Sequence, residues 1–480
     1  MLANMGVLQP HTVPLEFDLQ NDPIAMAEAI LAHQPAIVGI GIYIWNVTLC
    51  HRLVRTLKRL RRELVVVLGG PQVSHETAQH PIVADTDYVI TGEADVAFGQ
   101  LCQAILVGQR PEQTILPAPL PDLAALDLPY HYYREEDIAH RILYVESSRG
   151  CPFHCTFCLS ALDHAVRLFP LGPFLAAMQQ LLERGARRFK FVDRSFNLHL
   201  ARAEAILDFF LTFLRRQPTE ELFLHFEMIP DRLPESLRQL LQQFPAGVVQ
   251  LEIGIQSFNG EVQQQICRRQ DDQLTEQNLR WLRQSTGIHL HTDLIAGLPG
   301  EDLASFAAGF DRLLVLEPHE IQIGLLKRLP GTPLGQGMIF NPDPPYELLY
   351  NQTIDFTTMQ RIKRLSHYWD MIGNSGRFPH TLALLRQIGA SPCATLMQLS
   401  DWLYDQTAAL HGIALRRLCQ LLVQGGVELF QLELTHIQQV VLRDYQRVDP
   451  GGQLPLLARQ SPLAANGDTA QPRRQRRHRF

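Results

Sequence analysis

Between Arg141 and Leu334 the chain alternates short apolar runs with helical stretches, and this rhythm restricts the fold more than any other feature. Ile142–Ser147, Arg188–Val192, Leu222–Glu227, Val248–Ile255, His289–Ile295 and Glu320–Leu325 read as strands. Pro173–Arg184, Ala201–Arg215, Pro234–Gln243, Glu261–Arg283 and Leu303–Leu316 read as the helices between them. A strand that follows such a crossover returns to the same end of the sheet and runs parallel. Six consecutive units over 141–335 predict a partial (β/α)6 barrel, with an open sheet as the alternative.

The rest of the chain divides around that core. Residues 1–110 show the same alternation on a smaller scale. Strands are expected at Val13–Leu19, Ala36–Tyr43, Leu64–Leu68 and Tyr88–Thr91, and helices at Pro23–His33, Val47–Arg61 and Ala94–Leu106. This predicts an open α/β sheet of Rossmann or flavodoxin-like type. Residues 111–140 read as a linker, because Pro111, Pro117, Pro119, Pro121 and Pro129 interrupt either element. Residues 346–448 have helical periodicity, as in Ala394–Ala409 and Leu415–Val423, and predict a helical C-terminal domain. Residues 449–480 end in Arg473, Arg474, Arg476, Arg477 and Arg479 and read as a disordered basic tail rather than an RNA-binding arm.

Composition excludes some classes. A net charge of −6 gives no global argument for a nucleic-acid partner. No apolar run reaches the roughly 18 residues that cross a bilayer, and Met1–Thr12 lacks the basic start and apolar core of a signal peptide. A cytoplasmic protein without a membrane partner is expected.

Of the eight cysteines, Cys50, Cys102, Cys267, Cys393 and Cys419 are scattered and read as reduced and structural. Cys151, Cys155 and Cys158 are not scattered. They form Cys151-Pro-Phe-His-Cys155-Thr-Phe-Cys158, a C-x3-C-x2-C spacing in the loop after the first barrel strand. Parallel α/β barrels place their chemistry at that end. Three thiolates on a [4Fe–4S] cluster leave one iron open to a substrate. The competing readings are a zinc site completed by His154 or His164, and three unrelated buried cysteines.

The motif after the first strand of a six-unit barrel resembles that of the radical S-adenosylmethionine (SAM) superfamily. The resemblance implies that the open iron chelates the amino and carboxylate groups of SAM. One electron then cleaves the sulfonium to methionine and a 5′-deoxyadenosyl radical. It also implies an external electron donor such as flavodoxin or ferredoxin. Phe157 matches the aromatic position near the adenine. The family's Gly-Gly-Glu after the second strand is replaced by Asp193-Arg194-Ser195-Phe196-Asn197, which makes Asp193 the candidate for the amino group. Glu227 is the candidate for the ribose hydroxyls or a substrate amine. Gln256 is a candidate lining residue, and Asp293 and Gly297 lie in the glycine-rich segment after the fifth strand. For each, the bland alternative is a helix cap or a pairing with a neighbour.

Ile40–Asn46, Leu68–Ser74 and Thr91–Glu93 resemble the cobalamin-binding domain that precedes many such barrels. Trp45, Asn46, Gly69, Gly70, Ser74, Gly92 and Glu93 are the candidate cobalamin residues, all at predicted strand ends. The D-x-H-x-x-G motif that supplies a lower histidine ligand is absent, so Trp45 or Asn46 is expected beneath the corrin. Only Met1–Thr12 precedes Val13, too short for the first βα unit of such a domain. A truncated sheet with an open edge or an apolar patch, and weak cobalamin binding, are therefore expected. The resemblance spans roughly Val13–Val448, including a helical C-terminal region like one of uncharacterised role.

The function so implied is cobalamin-dependent methyl transfer to an unactivated carbon. A tRNA methylthiotransferase is the runner-up. That class needs a second set of cluster cysteines in the N-terminal domain, where only Cys50 and Cys102 occur. A SAM- or cobalamin-binding sensor without turnover is the third reading. The sequence does not identify the substrate.

Overall fold

The computed structural model describes residues 1–452 and Leu454, apart from positions 220 and 336. The expected basic tail lies largely outside the described residues.

The N-terminal sheet has four parallel strands in the order β1 (Ile37–Gly41), β2 (Val65–Gly69), β3 (Tyr88–Thr91) and β4 (Ile115–Pro117). The helices Pro23–Ala32 and Val47–Leu60 cover one face, burying Ile30, Val54 and Leu57 against Leu68 and Val89. The helix Ala97–Leu106 covers the other, over Val65, Val67, Tyr88 and Ile90. Two expectations are corrected here. β4 comes from the proline-rich segment read as a linker. An edge strand needs only one ladder, so Pro117 at its end is tolerated. Val13–Leu19 forms no strand, and Val13, Leu15, Phe17 and Leu19 are exposed. β1 pairs with β2 alone, so its other edge has no partner strand among the described residues.

The second sheet has six parallel strands in the order β12-β11-β10-β9-β8-β5. In chain order these are β5 (Leu143–Val145), β8 (Arg188–Phe191), β9 (Phe223–Met228), β10 (Val249–Gln256), β11 (His289–Ala296) and β12 (Glu320–Leu325). A short antiparallel hairpin, β6 (Ser148–Arg149) with β7 (Arg167–Leu168), interrupts the series after β5. The sheet stays open between β5 and β12, the topology of the expected partial barrel. Alternation sets its two faces. Phe189, Phe191, Leu224 and Phe226 point outward into the helical layer with Phe174 and Phe210. Lys190, His225, Glu227, Glu252, His291 and Asp293 take the opposite parity. The stretch expected as one helix over 261–283 is two, Gly260–Gln265 and Asp272–Ser285, because Cys267 adopts a left-handed conformation with φ +54.

The C-terminal helices run from Phe356–Trp369 to Leu434–Val448. They seal the β12 edge with side chains. Trp369 Nε1 donates to the Ile321 carbonyl at 2.7 Å, while Asn374 accepts from Ile321 N and donates to its carbonyl, each at 2.9 Å. Open ladder groups invite foreign strands, and this arrangement closes them. Among the described residues no helix is long and apolar enough to cross a membrane.

Candidate cofactor site

The β6–β7 hairpin frames residues 150–166, which carry the three clustered cysteines. Gly150 opens the loop at φ +88, and a Cβ there would collide with the Ala165 carbonyl, so glycine is required. Cys151 N donates to the Asp163 carbonyl at 2.9 Å, and Cys158 N to that of Cys155 at 3.1 Å. Cys151 and Cys155 are buried and Cys158 is half-buried. Burial pushes the Cys151 and Cys155 thiols up, and the charge of Cys158 adds to both, so the three groups lie within electrostatic reach of one another. Arg268 opposes this at Cys155, its Nη1 lying 4.0 Å from the sulfur. Among the described residues no three His, Cys, Asp or Glu side chains converge on a single ion. The three sulfurs thus do not converge on one point, and the fit to a cluster rests on the donor chemistry, since thiolates are the preferred ligands of iron–sulfur clusters. His154 and His164, the zinc alternatives, are exposed and lie against each other with ring centroids 4.2 Å apart. The donor set therefore fits an iron–sulfur cluster.

Arg268 escaped the sequence reading, because it falls inside a span with helical periodicity and only the Cys267 kink brings it to the cluster loop. Besides facing Cys155, it donates to the Gly254 carbonyl and to Gln270 Oε1. Thr156 N donates to Ile266 O at 3.1 Å and ties the same turn to the cysteine loop. Gln256 ends β10 at φ +69, where the ladder to β11 shifts register, and its side chain folds back over Gly254. Its Oε1 is buried without a partner. A buried acceptor left open in this way marks a place that a ligand donor would fill.

The other candidates divide. Asp193 does not reach the mouth. It shares the outward parity of Phe189 and Phe191 and is buried, accepting from Ser147 N at 2.9 Å and from the hydroxyls of Ser147 and Ser148 at 2.6 Å each. Burial raises its pKa despite those bonds. Asp193 fastens the end of β5, and its carboxylate is already occupied by these donors. Glu227 and Asp293 face inward. Burial pushes Glu227 up to about 7, with Arg194 opposing at 3.3 Å. Asp293 accepts from His291 at 3.1 Å, and Glu320 accepts from its other nitrogen at 3.0 Å. Burial works against the His291 charge, but the two carboxylates push its pKa up to about 10. Beside them Glu252 meets His225 at 2.9 Å and Lys190 at 3.5 Å. The inner wall is thus polar and mostly ion-paired. Phe157 packs its ring on the core. Gly297 is required by φ +90 and by Leu348, against which a Cβ would clash, so it shapes the turn.

The N-terminal rim faces this mouth. Gly70 has φ +101, and a Cβ there would sit 2.6 Å from the Ile42 carbonyl. Next to it, Gly69 ends β2. Ser74 Oγ donates to Gly70 O at 2.9 Å and accepts from Gly92 N at 3.2 Å, joining two of the glycine turns. Trp45 is 62% exposed and stacks on Tyr43 at 4.7 Å, presenting a free aromatic plate. Asn46 is instead occupied, accepting from Tyr43 N at 2.8 Å and donating to Gly41 O at 3.0 Å. Glu93 is ion-paired to Arg149 and Arg167 of the hairpin. Glu76 meets Arg328 at 2.8 Å, and Gln72 donates to the Tyr346 hydroxyl at 3.3 Å, completing the contact between rim and barrel.

Three family models match. One for the radical SAM superfamily covers residues 145–313, one for the B12 binding domain residues 7–102, and one for a protein of unknown function (DUF4080) residues 336–479. A 2-(S-pantetheinyl)-carbapenam-3-carboxylate methyltransferase from Streptantibioticus cattleyicolor is 25% identical over 340 residues, 62% of this chain and 48% of the relative. The chain therefore spans about half the length of that relative. A tRNA-2-methylthio-N(6)-dimethylallyladenosine synthase from Ralstonia pickettii is 24% identical over 65% of this chain and 66% of its own. The structure of the radical S-adenosylmethionine methyltransferase TsrM from Kitasatospora setae, with cobalamin and a [4Fe–4S] cluster bound, superposes with a TM-score of 0.58. It is 17% identical and covers 92% of this chain and 93% of that one, so the fold is shared along nearly the whole length.

Proposed function

The chain belongs to the radical SAM superfamily and carries a B12 binding domain, and from that premise we propose that it is a cobalamin-dependent radical SAM methyltransferase acting on an unactivated carbon. The observation that carries the reading is the juxtaposition of the glycine-rich rim, with its free Trp45 plate, and the mouth that holds the three cysteines. When bound, the cluster supplies the electron that cleaves SAM, and the cobalamin supplies a cobalt that carries a methyl group.

The chain's own residues do the rest. Cys151, Cys155 and Cys158 hold the cluster, and the Arg268 cation favours thiolate at Cys155. Gln256 offers its open acceptor to SAM, while Glu227 and Asp293, paired with Arg194 and His291, add carboxyl groups to the polar inner wall. Phe157 and Gly297 form the wall and turn of that pocket. Trp45 would offer its exposed ring to the corrin, and Gly69, Gly70, Ser74 and Gly92 would allow the close backbone approach that its bulk needs. A flavodoxin- or ferredoxin-like donor supplies the electron.

One feature disfavours the methylthiotransferase reading. Cys50 and Cys102, the N-terminal cysteines, are both buried among the helices, with thiols pushed up to about 11 by burial, and cannot hold a second cluster. Anaerobic incubation with SAM, hydroxocobalamin and dithionite tests the proposal. The expected products are 5′-deoxyadenosine from uncoupled SAM cleavage and S-adenosylhomocysteine, the latter up to about one per bound cobalamin, which takes the methyl group. Formation of neither would contradict an enzyme and favour a sensor.

A further inference from the structure

The stem of the cysteine loop sets two like charges side by side. β6 and β7 are two residues each, and Arg149 and Arg167 are register partners directly across the hairpin. Like charges in that position repel. Both are partly buried, with side chains 18% and 20% exposed, so water screens the repulsion poorly. The nearby carboxylates share the load unequally. Of the two arginines, Glu146 and Asp95 meet Arg149, at 3.0 and 2.8 Å, and Asp163 meets Arg167, at 3.1 Å. Glu93 meets both. Its Oε2 accepts from Arg149 Nη1 at 2.7 Å and from Arg167 Nη1 at 3.3 Å, and its Oε1 accepts from Arg167 Nη2. Glu93 belongs to the other domain, in the turn after β3. Gly92 precedes it at φ +83 and is bonded to Ser74 Oγ.

We propose that Glu93 is a positioning residue that closes the stem of the cysteine loop from the neighbouring domain, so that retention of the iron–sulfur cluster depends on the N-terminal rim. The role rests on the cluster assignment above and replaces a contact to cobalamin as the reason for this glutamate. It also links the two cofactor sites mechanically. A ligand that orders the Gly70–Ser74–Gly92 turns orders the clamp, and an intact clamp orders the turns, as reciprocity requires.

The test is the rate at which anaerobically reconstituted full-length protein loses iron to a chelator. Glu93→Gln keeps the shape and removes the charge, and should speed release about tenfold, as loss of a partly buried charge partner warrants. Glu93→Asp, which keeps the charge one methylene short, should fall between the two. Adding Arg167→Met to Glu93→Gln removes one of the repelling cations and should slow release again, whereas an ordinary interface residue would give additive loss. Release from Glu93→Gln within about twofold of the unmodified chain would overturn the proposal, as would a double variant no slower than Glu93→Gln. An unmodified chain that holds no iron–sulfur cluster would instead contradict the cluster assignment itself.

Discussion

Replacement of Asp193 separates a structural role from a cofactor contact at a position where the sequence suggested the latter. The carboxylate accepts three hydrogen bonds, from Ser147 N and the hydroxyls of Ser147 and Ser148, and Arg202 donates to Ser147 O at 2.9 Å beside it. In Asp193→Ala the two hydroxyls can rotate toward other acceptors, but the buried Ser147 N–H cannot move. An orphaned buried donor costs about 1–3 kcal/mol, and with the other two bonds the loss should be about 3 kcal/mol. For a domain of this size that is about 6–12 °C in melting temperature. Asp193→Asn should cost only about 1 kcal/mol, because burial already favours the neutral acid and the amide keeps an acceptor for Ser147 N. Calorimetric melting of the apo-protein checks the order of stability. Titration of the reconstituted Asp193→Asn protein with SAM checks the function, and affinity should stay within about twofold, since the side chain faces away from the mouth. An unchanged melting temperature together with a tenfold loss of SAM affinity would refute the reasoning.

Further outcomes follow from the same geometry. Glu227 is raised to about 7 in the folded protein. Its contribution is therefore fully present below the unfolded value of about 4.3 and lost as pH rises through 7. Glu227→Gln should become more stable relative to the unmodified chain across that window, by up to about 3 kcal/mol, in urea melts at stepped pH. A difference that does not vary with pH contradicts the burial argument. Trp45→Ala should weaken hydroxocobalamin binding about tenfold without changing the melting temperature, since the ring is exposed and stacks only on Tyr43. Asn46→Ala should instead lower the melting temperature by loosening the loop it holds.

Much of this site is written in local pattern, and the parts that are not have identifiable reasons. The three cysteines, the six parallel strands and the glycines at strand ends depend on spacing alone, and they stand where the pattern puts them. Asp193 stands after a strand, the position of a mouth residue, while alternation with Phe189 and Phe191 turns it outward. Val13–Leu19 has strong period-2 alternation, yet that pattern says which face is apolar and not whether a partner strand exists. β4 was hidden because prolines mark breaks in most contexts and edge strands in few. Arg268 was hidden because a single left-handed residue, Cys267, breaks a periodic helix without altering the hydrophobic pattern. Glu93 shows the limit most clearly. Its partners lie 56 and 74 residues away on another domain, and no local signal announces an ion pair of that span.

The most direct test of the account is the metal and sulfide content of the anaerobically reconstituted chain, read together with its EPR spectrum before and after SAM. The reconstituted chain should hold about four irons with matching sulfide and show a reduced-cluster signal that changes when SAM is added, both lost in Cys151→Ala, Cys155→Ala or Cys158→Ala. Stoichiometric zinc without sulfide, or a cluster signal indifferent to SAM, would contradict it.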